Sequence, residues 1–308
     1  MNFSSAATDY LATRRALGYK LHQQGQMLVQ FVAYLEAVGA EHLTLSNALD
    51  WAKQPVDATP VWWAARLCVV RGFARYLKAL DPFTEVPPVR LLPKQNHRIV
   101  PHIYSDEEIA RLVAAAGRLH PERRADTYQT VICLLIVTGM RIGEAVALDR
   151  GDIDWDQGLL TIRESKFGKS RQLPLHQSTL QALRDYARRR DERPRKHNAP
   201  SFFISTVGTR LIRDNATTVF RGLVRDAGLE WSHRRRAPRL HDFRHRFAVH
   251  TVIGWYREGL DVQRQLPLLS TYMGHVSPAD TYWYLSAVPE LLELAVQRLD
   301  IDQKGGER

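Results

Sequence analysis

Two arginines, two histidines, a lysine and a tyrosine, spread over four clusters of this 308-residue sequence, form an inventory suited to a phosphodiester. A phosphoryl transition state carries negative charge on its nonbridging oxygens, and guanidinium forks grip two of them at once. Arginine keeps its proton, so such a clamp persists. Tyrosine needs help as a nucleophile, because a reference pKa near 10 leaves it about three units, or roughly 4 kcal/mol, from ionised at neutral pH. A basic pocket supplies that lowering. Losing one well-placed donor to a developing oxyanion typically costs about 10²- to 10³-fold in rate, so a clamp can be large enough without a metal.

Each cluster also has an ordinary reading. In Thr138-Gly139-Met140-Arg141-Ile142-Gly143-Glu144 an apolar helix ends at Gly139, and Arg141 with Glu144 could be a solvated pair on the next helix. Lys166-Phe167-Gly168-Lys169-Ser170-Arg171 could be a merely soluble turn, or could carry a lysine that reaches into a DNA groove and delivers a proton. In Arg239-Leu240-His241-Asp242-Phe243-Arg244-His245-Arg246, His241 and Arg244 share a helix face, and the plain alternative is a basic, solvated helix end. His241 and His245 also have zinc-ligand spacing, but Asp242 replaces the usual Glu, and Arg244 and Arg246 would oppose a dication. The last cluster, 273–284, offers His275 after Gly274 and the aromatics Tyr282, Trp283 and Tyr284, which as core residues would need no further explanation.

The elements that must hold these residues are mostly helical. Leu28, Phe31, Val32 and Leu35 recur at helical spacing before Gly39, and similar stretches cover about 4–17, 45–53 and 59–80, with no strand pattern between them. Pro82, Pro87, Pro88, Pro93 and Pro101 then punctuate a basic segment read as a linker over 91–103. Ser105 and Glu108 form a capping box that opens a second unit, followed by a helix over 127–137. Residues 159–163 and 171–175 read as two strands around a turn at Gly168, and helices follow near 178–190, 215–227 and 240–255.

Composition bounds the partner. Lys and Arg number 43 against 33 Asp and Glu, a net charge of +10 that favours a polyanion through counterion release. The apolar run 131–140 is too short to cross a bilayer, and the N-terminus lacks a basic stretch followed by a hydrophobic core, so a cytoplasmic protein is expected. Cys68 and Cys133, both in apolar runs, are expected to be buried thiols in a reducing compartment.

In this order, T-G-x-R-x-x-E, a hairpin lysine, H-x-x-R, G-H and a late tyrosine resemble the tyrosine recombinases, the integrase family of phages, integrons and Xer proteins. The resemblance implies a helical, SAM-like core-binding domain over 1–90 and a mixed α/β catalytic domain over 104–308. It implies that Arg141 and Arg244 clamp the scissile phosphate, with Glu144 supporting the first. His241 would accept the nucleophile's proton, Lys166 (Lys169 as second choice) would protonate the leaving 5′-oxygen, and His275 would steady the transition state. Tyr272, Tyr282 and Tyr284 all lie near the fourth cluster; helical residues two apart point about 200° apart, so 282 and 284 cannot both face one phosphate. The family tyrosine follows the G-H histidine by nine residues, which selects Tyr284.

Met273 stands where leucine commonly precedes G-H, and no histidine follows Tyr284 closely; neither change touches the chemistry. The basic segments 188–196 and 234–239 could be extra DNA contacts or solvated loops, and the resemblance implies that the amphipathic stretch 289–296 packs on a neighbouring subunit. The expected protein is thus a site-specific recombinase of double-stranded DNA, working as a homotetramer on specific sites with neither metal nor cofactor. A type IB topoisomerase, a non-catalytic DNA-binding protein and a metal-dependent hydrolase are the alternatives.

Overall fold

The computed structural model describes residues 2–92, 101–163, 170–192, 199–231 and 237–275. The chain divides into two compact units, Met1–Arg98 and Ile99–Arg308.

Among its described residues the first unit holds four helices: α1 (Phe3–Ala16), α2 (His22–Ala37), α3 (Leu45–Lys53) and α4 (Pro60–Leu77). Side-chain oxygens of Asn2, Thr44 and Thr59 accept amide hydrogens at the starts of α1, α3 and α4, and Pro60 sits where a helix tolerates a missing donor. Phe31, Leu35, Trp51, Val70, Phe73 and Leu77 close its core.

The second unit opens with α5 (Asp106–Gly117), whose capping box is formed as expected: the Ser105 hydroxyl accepts from the Glu108 amide, and Glu108 accepts from the Ser105 amide. Helices α6 (Glu122–Thr138) and α7 (Ile142–Ala147) precede strands β1 (Ile153–Asp154), β2 (Leu159–Ile162) and β3 (Arg171–Pro174). Helices α8 (Gln177–Glu192), α9 (Arg213–Asp226), α10 (Asp242–Arg257) and α11 (Val262–Met273) follow. One core runs from Tyr104 through α5, α6, the sheet, α8 and α9 to Phe243, and a smaller one joins α10 to α11 through Val249, Val252, Leu266, Leu269 and Met273. Among the described residues, no helix is long and apolar enough to cross a membrane.

Three features depart from the sequence-based expectation. The sheet has three antiparallel strands, because Ile153–Asp154 adds to the expected pair. A helix, α11, occupies a stretch for which no element was expected, since Pro267 lies inside it and interrupts the usual signal. Both cysteines are exposed, contrary to expectation. The reason is helical phase: Leu67 and Val70 on α4, and Ile132, Leu134 and Leu135 on α6, face the cores, while Cys133 shares the outer stripe with exposed Val137.

Candidate active site

Three arginines from three elements meet at one helix end. A helix C-terminus leaves carbonyl acceptors without intrahelical donors and carries partial negative charge. At the end of α11, Arg171 Nε donates to the Tyr272 carbonyl at 2.8 Å, Arg244 Nη2 to that of Met273, and Arg141 Nη2 to that of Gly274 at 3.2 Å. Three consecutive carbonyls are therefore held from β3, from α10 and from the residue that precedes α7. His275 comes next, its amide bonded to the Ser270 carbonyl at 2.9 Å.

One carboxylate balances much of this charge. Glu144 accepts from Arg141 Nη1 at 2.8 Å and from the Arg141 amide at 2.9 Å, and from Arg171 Nη1 and Nη2 at 3.1 and 2.9 Å. Burial alone would push its pKa up, but the bonds from Arg171 and Arg141 outweigh burial and hold the carboxyl below its ordinary range. The surface-pair reading of Arg141 and Glu144 is thus overturned, because Glu144 is 8% exposed.

Strand register explains how Arg171 arrives there. Leu173 pairs with Leu160 and Arg171 with Ile162; Leu160, Ile162 and Leu173 all face the core, so the strand period of two turns Arg171 inward as well. Arg244 lies deeper still. At 1% exposed it is no solvated helix end, and its Nη1 donates to the Gly139 carbonyl at 2.8 Å. Gly139 has φ of 60°, and a Cβ there would stand 2.5 Å from the Phe247 ring, so glycine is what lets this carbonyl approach. Gly274 has φ of 67°, and a Cβ on it would meet the Arg171 guanidinium at 2.8 Å. Of the three arginines Arg141 is the most open, its side chain 26% exposed against 12% for Arg171.

His241 immediately precedes α10 and is positioned by its neighbours. Arg239 donates to buried Asp242 from its amide at 2.8 Å and from Nη2 at 3.0 Å, while the Tyr104 hydroxyl donates to the Arg239 carbonyl at 2.9 Å. Burial, then the positive fields of Arg244, Arg239 and Arg141, pull the His241 pKa down to about 4. His245 is pulled to about 3 by burial, then by His241, Arg239, Arg244 and His275. Both imidazoles are therefore neutral at pH 7. Their rings meet edge to face at 4.9 Å, and among the described residues no group of three His, Cys, Asp or Glu is arranged to hold a metal ion. Arg246 turns away, bonded to the Tyr104 carbonyl and to Asp106.

The sequence-derived site is thus partly assembled. Arg141, Glu144, His241, Arg244 and His275 come together around the end of α11. Tyr272 is a packing residue: its ring stacks on Phe247 at 5.5 Å, and burial raises its pKa, the opposite of an activated phenol. Lys166, Lys169, Tyr282, Tyr284 and the stretch 289–296 lie outside the described residues, as do 93–100, 193–196 and 234–236. Sequence reasoning missed Arg171 and the Arg239–Asp242 brace. Only the first left a signal, an arginine two residues before a core leucine in a strand.

Comparison with known proteins agrees with this architecture. Residues 103–302 match the Phage integrase family. Over 304 residues the chain is 44% identical to y4rB of Sinorhizobium fredii, which carries an integrase/recombinase name, with 97% of each protein covered. It is 31% identical over 304 residues to the tyrosine recombinase XerD of Mycobacterium leprae, covering 90% of this chain and 89% of that one. Among solved structures, the Tn1549 transposon integrase in complex with transposon right end DNA superimposes with a TM-score of 0.65 at 16% identity, covering 96% of this chain and 99% of that one. A lambda integrase tetramer bound to a Holliday junction gives 0.62 at 16% identity, covering 92% and 77%. At such identities the structural likeness speaks for the fold.

Proposed function

The chain belongs to the Phage integrase family of tyrosine recombinases, and from that premise we propose how its residues cut and rejoin DNA. The protein is a site-specific recombinase. Arg141 and Arg244 hold the nonbridging oxygens of the scissile phosphate, with Glu144 fixing the first guanidinium from behind. Tyr284 attacks the phosphorus and gives its phenolic proton to His241. The bond from phosphorus to the 5′-oxygen breaks as Lys166 supplies that oxygen with a proton, leaving a 3′-phosphotyrosyl link and a free 5′-hydroxyl. His275 donates to the phosphate. The partner strand's 5′-hydroxyl then reverses the sequence, so the phosphodiester energy is conserved and ATP is not consumed. Lys166 and Tyr284 take these roles from the spacing of the family motif.

The observation that carries this reading is the arginine cluster around a neutral His241. A pKa near 4 leaves the imidazole unprotonated at neutral pH, as a proton acceptor must be, while the surrounding guanidiniums lower the cost of ionising a phenol. The +10 charge fits a DNA partner, and the tetramer on a Holliday junction seen for lambda integrase supports a homotetramer working through a four-way junction. The first unit serves as the core-binding domain, and the cytoplasm is the proposed compartment.

The test is mass spectrometry of protein trapped on a nicked suicide duplex. The expected adduct is on Tyr284, it forms in EDTA, and Tyr284→Phe abolishes it while leaving DNA binding intact. An adduct on Tyr282 would move the site but keep the activity; no adduct at all would leave a DNA-binding protein.

A further inference from the structure

The catalytic roles above leave Arg171 unused, although it bonds both Glu144 and the end of α11. We propose that Arg171 is a positioning residue that couples the strand hairpin to the phosphate clamp and to the chain entering the nucleophile segment; this rests on the function proposed above.

Every guanidinium nitrogen of Arg171 has a partner within the protein. Nε is committed to the Tyr272 carbonyl at 2.8 Å, and Nη1 and Nη2 to the two oxygens of Glu144 at 3.1 and 2.9 Å. What remains of the side chain is 12% exposed. Three parts of the site thereby share one planar group. Glu144 passes the constraint to Arg141, which bonds the same carboxylate and then the Gly274 carbonyl. Tyr272 passes it to the end of α11, from which the chain runs through His275 toward residue 284. At the other end Arg171 itself opens β3, five residues after Lys166. A displaced guanidinium would therefore loosen Arg141, the His275 turn and the start of β3 together. Misplacement of reacting groups by about 1 Å costs on the order of 10²-fold in rate. Lysine could keep the charge but not the fork, because an ammonium cannot match two carboxylate oxygens and a carbonyl in one plane.

The test uses the full chain and nicked suicide duplexes that it selects from a random-sequence pool by joining to them. Single-turnover adduct formation and DNA affinity are measured separately for Arg171→Ala, Arg171→Lys, Glu144→Gln and the double variant Arg171→Ala/Glu144→Gln. Arg171→Ala is expected to form adduct about 10- to 100-fold more slowly with affinity changed less than about threefold, and Arg171→Lys to recover part of the rate. The double variant is expected to be little slower than the slower single, because the two residues act as one unit. An unchanged rate in Arg171→Ala overturns the proposal, as does an equal loss of rate and affinity, or a double variant whose losses multiply. Should Arg171→Ala fail to fold, Arg171→Met takes its place under the same criteria. If the unsubstituted chain selects no duplex that it joins, the function proposed above fails and this inference with it.

Discussion

Each unit of the molecule buries arginine, and Arg66 in the first and Arg244 in the second are treated differently. In the first unit Arg66 lies with its guanidinium 3.6 Å from the centre of the Trp51 ring, and Nη2 donates to the Trp51 carbonyl at 2.8 Å. It meets Trp51 by two means, and helix α4 is thereby fixed to the end of α3. In the second unit Arg244 ties the Gly139 turn to the end of α11 and shares its surroundings with Arg141, Arg171, His241 and Glu144. A lone buried cation with an aromatic face is architecture. Several cations converging on a helix end, with one carboxylate among them, hold a positive field that the fold would be easier to build without.

The contrast is tested most strongly by removing each arginine. Arg244→Ala strips the donors from two backbone carbonyls, about 1–3 kcal/mol for each left unsatisfied, and also removes half of the clamp. Adduct formation is expected to fall by about 10³-fold or more, measured on the folded fraction. Arg66→Ala should cost about 1–3 kcal/mol in urea unfolding through the lost carbonyl bond and cation–ring contact, with adduct formation per folded molecule unchanged. A catalytic defect in Arg66→Ala would erase the distinction.

Acid is expected to separate the two units by a smaller margin. The folded pKa values of His241 and His245, about 4 and about 3, lie below the ordinary 6.5, so the unfolded chain binds protons first. Their contribution to stability is complete above pH 6.5 and is lost as pH falls toward 4 and below. In the first unit Asp81 is raised by burial but lowered further by bonds from His42, the Phe83 amide and Thr84, so its pKa lies below the usual 3.8. Its contribution is present above that value and is lost only as pH falls beneath it. Between pH 7 and 5, amide exchange corrected for its intrinsic pH dependence should therefore show the second unit loosening before the first. His241→Gln should flatten that response, and an identical loosening of both units would refute the assignment.

Much of the local structure was legible because it depends on near neighbours. The Ser105–Glu108 capping box, the helical stripe Leu28, Phe31, Val32 and Leu35, and the two long strands are set by backbone donors and side-chain spacing within a few residues. Helix α11 was not, because Pro267 interrupts the pattern that tertiary packing of Leu266, Leu269 and Met273 overrides. At the site, Arg141, Glu144, His241, Arg244 and His275 could be named from motif order, yet nothing in that order said that Glu144 is buried or that Arg244 is 1% exposed. Arg171 escaped notice since its role depends on pairing Ile162 with Arg171, a register that no short window reveals.

The sequence alone determined the kind of chemistry, because residue types and their order specify which groups can clamp a phosphate, take a proton and attack. It also determined the helical frame, because capping and periodicity act over a few residues. Only the tertiary structure decided which carbonyls the arginines hold, which carboxylate balances them and that His241 and His245 stay neutral. Those outcomes depend on burial and on charges brought together from more than 100 residues apart, as between Arg141 and Gly274 or Arg244 and Gly139. Electrostatic strength is set by that environment and not by the identity of the side chain.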